Sequence, residues 1–187
     1  FNAIGSFVYT LTATDEFGCQ YTQDVTVNVT CPCSLTLTSP AGTDNQTLCL
    51  GSAITDIEYT PGGSATSATV TGLPAGVTGT YAGGVLTISG TPTATGVFNY
   101  TVSTVGCVPE MEAYGTIEVV AVPVADAPAD VTACDSYTLP ALTVGNYFTG
   151  SGGTGTALNA GDVITTTQTI YVYAESGTTP NCTDENS

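Results

Sequence analysis

The stretch GVFNYTVSTVGC, residues 96–107, decides the reading of this chain, because two relatives of it stand elsewhere in the sequence. GSFVYTLTATDEFGC occupies residues 5–19, and QTIYVYAESGTTPNC occupies residues 168–182. In each, aromatic and β-branched residues alternate with polar ones, a short polar loop follows, and a cysteine closes the unit. Alternation at period two places one set of side chains on one face of a strand. A second alternating run, Tyr21 to Val29 or Gly115 to Val122, follows the first two copies. After the third copy no such run is seen. A strand–loop–cysteine–strand unit repeated along the chain predicts tandem β-modules, not one large domain.

Working outward, residues 1–32 read as the closing hairpin of a sandwich whose earlier strands lie upstream, so the chain reads as a window cut from a longer protein. Phe7, Tyr9, Leu11 and Ala13 share one face of the first strand, and Val25, Val27 and Val29 share one face of the second. Asp15-Glu16-Phe17-Gly18 turns between them. A two-stranded hairpin is marginal in water on its own and needs a partner layer. Residues 33–122 hold one complete sandwich of about seven short strands with turns every 8–12 residues, the spacing of an Ig-like domain. Its strands include Leu35 to Leu37, Ile54 to Tyr59, Thr66 to Thr71, Val85 to Ile88 and the opening motif. Residues 123–130, rich in Pro and Ala, read as an extended linker. Residues 131–187 form a third module that lacks its last strand. The expected fold is therefore all-β: tandem Ig-like antiparallel β-sandwich modules stapled by disulfides.

Charge narrows the function classes. The chain of 187 residues has no Lys, Arg or His, 16 acidic residues and a net charge of −16. Nucleic acids are held through cations on the protein, so nucleic acid is excluded as a partner. No apolar run nears the roughly 20 residues that span a bilayer, which argues against membrane insertion by a helix. Without His, Lys or Arg, a serine nucleophile lacks its ordinary base, and an oxyanion or phosphate lacks its cationic clamp. Nothing places two carboxylates beside an aromatic cleft, and Trp is absent. The chain reads as no enzyme. Loop carboxylates at Asp15, Glu16, Asp44, Asp126, Asp130 and Asp162 raise the question of calcium, but no known calcium-loop spacing is present. They read as solvated acids, with no metal or other cofactor expected.

Seven cysteines and no histidine favour disulfides over metal sites and an extracellular, oxidising compartment. Cys49 with Cys107 and Cys134 with Cys182 are the expected pairs, since each pair brackets one module. Each closed loop would stabilise by roughly 4 kcal/mol. Cys19, Cys31 and Cys33 leave one thiol over; Cys19 pairs with Cys31 or Cys33, and the third pairs elsewhere.

Three resemblances bear on role. Residues Gly5 to Asp15, GSFVYTLTATD, resemble the last strands of PKD-like domains. Leu73-Pro74-Ala75-Gly76-Val77, Leu86 to Pro92 (LTISGTP) and Gly96 to Val102 (GVFNYTV) together resemble an Ig family of bacterial surface proteins, over about half of the middle module. CDSYTLPAL from Cys134, the GSGGTGT loop from Gly150 and NAGDVITTTQTIYVYAESGTTPNC ending at Cys182 resemble a repeat of very large surface adhesins of Bacteroidota. Those adhesins leave the cell by type IX secretion and include the giant gliding-motility adhesin of Flavobacterium-type cells. The resemblance implies a structural and adhesive repeat of a long cell-surface filament that serves gliding or attachment. Its partners would be neighbouring modules of the same chain and an extracellular polysaccharide or the substratum. Two other readings stay open: a carbohydrate- or protein-binding sandwich of a secreted protein, and a filament subunit that exchanges strands.

Overall fold

The computed structural model describes residues 5–29 and 32–187. Cys31 lies outside the described residues, so its pairing does too. Among the described residues every regular element is a strand.

The first two strands, β1 (Gly5–Thr14) and β2 (Gln20–Val29), form a hairpin in unbroken antiparallel register. Asp15 closes its turn: the carboxylate accepts the N–H groups of Phe17 and Cys19, and Gly18 takes the positive φ that the turn needs. Register places Phe7 opposite Val27, Tyr9 opposite Val25 and Ala13 opposite Tyr21. All of these side chains, with Leu11 and Val29, therefore share one face. The other face is polar, with hydroxyl–carboxamide and hydroxyl–carboxylate bonds from Ser6 to Asn28 and from Thr10 to Asp24. The hairpin contributes to neither buried cluster, and Leu11 stays 60% exposed.

The middle module is a two-layer sandwich. One sheet has the order β3-β5-β8-β7, from Ser34–Leu37, Ile57–Gly62, Val85–Gly90 and Val77–Ala82. The other has the order β4-β10-β9-β6, from Asn45–Cys49, Glu112–Val120, Gly96–Val105 and Ser67–Thr71. All pairings are antiparallel except β4 with β10, which is parallel. The repeated motif is the central strand β9. Its alternation turns Tyr100, Val102 and Thr104 inward and leaves Val97 exposed. The inward residues meet Ile57, Leu86, Ile88, Ile117 and Val119 in the core. Each such side chain contributes about 1.5–3 kcal/mol by leaving water.

The Pro/Gly motifs pin the lower turn. Gly76 has φ of +89°, and a Cβ there would lie 2.2 Å from the Thr91 carbonyl oxygen. Gly90 faces it in register with Val77, and a Cβ there would lie 2.3 Å from the Gly76 oxygen. Two backbones pass closer than any side chain allows, which is why both positions are glycine. Pro74 and Pro92, near them in sequence, are fully buried.

The third module packs β13-β12-β15-β16 (Thr154–Leu158, Asn146–Gly150, Tyr171–Glu175, Thr183–Asn186) against a two-stranded ladder. That ladder is β11 (Tyr137–Thr138) with β14 (Val163–Ile164). Two expectations change here. A strand does follow Cys182: β16 pairs antiparallel with β15. Its residues, TDEN, are held by backbone bonds and carry no apolar alternation to announce it. Nor does the segment 123–130 behave as a free linker. Ala125 is 2% exposed; its N–H donates to the Asp184 carboxylate, and its carbonyl accepts from Asn186. The third module thus begins near Ala125, not at residue 131.

Candidate functional site

The cysteines, first among the expected site residues, pair differently from the expectation. The bonds are Cys33–Cys107 and Cys49–Cys182; Cys49–Cys107 and Cys134–Cys182 do not form. The reason lies in strand direction. Cys49 stands beside Val120, at the end of β10, whereas Cys107 lies beyond the far end of β9, near the start of β10. Eight residues of strand separate those ends by roughly 27 Å, and a disulfide needs Cα atoms within about 7 Å. Cys33 leads into β3 at the same end as Cys107, with a Cα–Cα distance of 6.1 Å. Cys182 lies past Glu175, at the end of β15 that faces the middle module, and reaches Cys49 with a Cα–Cα distance of 5.6 Å. Cys134 lies toward the other end of β15, lining a cavity with Ile170 and Val172. Among the described residues Cys19 and Cys134 have no bonded partner and are exposed, and the expected Cys19–Cys33 pairing does not form because Cys107 takes Cys33. One bond therefore crosslinks the two sheets of the sandwich, and the other joins two modules.

Three of the six loop acids bind backbone N–H groups. Asp15 caps its turn, the Asp126 carboxylate accepts the N–H groups of Thr143 and Val144, and the Asp162 carboxylate accepts that of Asn159. The Asp44 carbonyl oxygen accepts both the Tyr100 hydroxyl and the Thr116 N–H. Burial, with Tyr59 and Asp44 beside it, pushes the Tyr100 hydroxyl far above the ordinary tyrosine value, so it remains a neutral donor. Among the described residues, no three Asp, Glu, His or Cys side chains gather as a metal site. A melting curve recorded with millimolar calcium is expected to overlay one recorded with chelator; a rise of several degrees would show a site that these carboxylates build.

The glycine-rich loop after Gly150 is the tip of the β12–β13 hairpin. It is anchored rather than loose: Glu185 accepts the Ser151 hydroxyl and the Gly152 N–H.

The feature that sequence reading missed is a cavity of about 410 Å³ in the third module. Leu139, Ile164, Ile170 and Val172 line it together with Asp130, Asp135 and the polar run Thr165 to Thr169. Tyr147 lines it too, only 4% exposed, and its hydroxyl has no hydrogen-bond partner among the described residues. Burial, and then Tyr137 and Asp126 nearby, push that hydroxyl above the usual tyrosine value. Tyr147 sits in a plain alternating run, NYFTG, so nothing in the sequence marked it as more than core.

No protein-family model matches the chain, and no curated protein matches it. Solved structures do. An I-band fragment of titin is 13% identical, with 97% of this chain and 73% of that chain covered and a TM-score of 0.53. Titin domains z1z2 in complex with telethonin are 15% identical, with 63% of this chain covered and a TM-score of 0.39. This chain spans 62% of their length. Domains 4 and 5 of the S-layer protein SbsC are 13% identical, with 64% and 74% of the two chains covered and a TM-score of 0.37. The first of these likenesses extends over nearly the whole chain and shows the fold: tandem Ig-like β-sandwich modules.

Proposed function

We propose that this chain is a structural and adhesive repeat segment of a long extracellular surface protein, in which modules are joined into a stiff series. One observation carries the reading: Cys49 of the middle module is bonded to Cys182 of the next. A covalent clamp across a module boundary has value for a stalk and little for a domain that acts alone. The disulfides also fit an oxidising, extracellular setting. The surface, without a single cation, fits a solvated spacer that repels copies of itself. The sequence resemblance to Bacteroidota adhesin repeats makes type IX export and gliding or attachment the specific form of the proposal, with extracellular polysaccharide or the substratum as the outer partner. No catalytic step is assigned.

The test is electron microscopy of the native protein that contains this segment, with an antibody raised to residues 33–122. A beaded filament at the cell surface, decorated at intervals, is the expected result. A compact monomeric particle, or label confined to the cytoplasm, would overturn the proposal.

A further inference from the structure

The inward side of the β4-β10-β9-β6 sheet builds the core of the middle module, and its outward side carries two cross-strand rows. Register sets Asn45, Thr116 and Asn99 side by side across β4, β10 and β9. It sets Tyr114, Thr101 and Thr71 in the adjacent row across β10, β9 and β6. An open depression of about 320 Å³ lies over the first row and the start of the second, lined by Asn45, Asn99, Thr101, Tyr114 and Thr116.

Three features of this depression bear on a ligand. The first is an aromatic ring on a strand that is paired on both sides. Tyr114 is 67% exposed, and its hydroxyl donates to the carboxylate of Glu112, two residues away on the same face. That bond restricts the ring before anything binds, which lowers the ordering cost of binding. The ring itself is an apolar platform in wet surroundings. The second feature is a set of uncharged hydrogen-bonding groups. The Thr116 hydroxyl donates to the Asn99 carboxamide oxygen at 3.0 Å, which leaves the Asn99 N–H groups for another acceptor. Asn45 and Thr101 add further donors and acceptors. The third feature is spacing. Neighbouring strands stand about 4.8 Å apart, close to the length of one hexose residue in an extended glycan. A chain of sugars lying across the strands therefore meets about one polar side chain of the row per sugar, and the C–H face of a pyranose can rest on the ring.

Charge selects among glycans. Glu112 and Glu118 stand on the outward face of β10, six residues and roughly 20 Å apart. The molecule has no cation. A uronate or sulfated chain would meet those carboxylates with nothing to balance it, whereas a neutral chain passes between them.

We propose that this face binds a neutral polysaccharide, laid across β4, β10 and β9. One pyranose stacks on Tyr114, and its neighbours are hydrogen-bonded to Asn45, Thr116 and Asn99. The site deepens the adhesive reading above and rests on it for the class of ligand, yet it can fail while the filament stands.

The probes are cellohexaose, laminarihexaose and mannohexaose, each added to the whole chain carrying ¹³C-labelled threonine methyls. At least one is expected to give saturable shifts at Thr101 and Thr116, with Thr104, buried in the core, unmoved. Hexagalacturonate, an acidic counterpart, should give none. Tyr114→Ala should weaken the bound hexasaccharide about tenfold, and Tyr114→Phe, which keeps the ring, no more than about threefold. Asn99→Ala should weaken it about fivefold. Three results would each overturn the proposal. One is the absence of shifts with all three neutral probes. Another is equal binding of hexagalacturonate. The third is unchanged affinity in Tyr114→Ala. Electron microscopy separates this site from the filament: a beaded surface filament whose segment fails these tests loses the glycan site alone, and a compact particle whose segment passes them loses only the filament.

Discussion

Replacing Cys33→Ser together with Cys107→Ser lowers the stability of the central sandwich by about 4 kcal/mol. The bond spans a sequence separation of 74 residues and ties the chain ahead of β3, in one sheet, to the chain after β9, in the other. Without it, the unfolded chain regains the freedom of that whole loop, while the folded sandwich keeps its apolar contacts. Serine is close in volume, so the folded form loses little packing. For a module of this size the loss corresponds to a fall of roughly 20 °C in melting temperature. Calorimetry on the variant checks it. A shift of only a few degrees would mean that the unfolded chain is held compact by other means. The contrasting pair, Cys49→Ser with Cys182→Ser, should leave the sandwich's own midpoint nearly in place, because that bond lies between modules and not across a core.

The second large effect comes from a single added methyl group. Gly115→Ala should destabilise the middle module by about 3 kcal/mol. A Cβ at this position would stand 2.2 Å from the Tyr100 hydroxyl and 2.3 Å from the Asp44 carbonyl oxygen. Those two atoms are hydrogen-bonded to one another, and Tyr100 is 1% exposed at the centre of the core. Neither can retreat without breaking that bond, and β10 cannot move without straining its pairing with β4 and β9 on both sides. Tyr100→Phe alone should cost about 2 kcal/mol, since the hydroxyl bonds both the Asp44 carbonyl and the buried Tyr59 hydroxyl. Combined with Gly115→Ala, it should bring little relief, since Tyr100 Cζ and the Asp44 carbonyl oxygen, each 2.3 Å from the new Cβ, both remain. Denaturant titration of the two single variants and the double variant measures this coupling. A double variant much more stable than the sum predicts would show that the tyrosine oxygen alone excludes a side chain at residue 115.

Both effects bear on what the residues alone could reveal. The strand alternation of β9 was plain, because Phe98, Tyr100, Val102 and Thr104 repeat at period two and the structure turns that face toward the core. Gly76 and Gly90 were legible as turn positions, and their backbones prove to touch. The cysteine partners were not legible. Pairing depends on which end of a strand each residue occupies in space, and the parallel β4–β10 ladder that carries Cys49 to the far end leaves no local mark. The segment at residue 125 looked like a linker because Pro and Ala dominate it, yet one alanine is small enough to slip beneath β16. The cavity escaped notice for a related reason: Tyr147 has the same pattern as any core tyrosine, and only the third dimension shows its hydroxyl without a partner among the described residues.

The bond between Cys49 and Cys182 also sets how far this segment can lengthen under load. A pull applied at both ends need not travel through the polypeptide between them, because the sulfur bridge offers a shorter path. The bypassed stretch, a sequence separation of 133 residues, would extend to about 450 Å if drawn out straight. Kept in reserve behind one covalent link, that length stays folded while the bridge is intact and becomes available when it is reduced. Between Cys49 and Cys182 the chain is thus held to the length of one bridge in oxidising surroundings and is free to be drawn out in reducing ones.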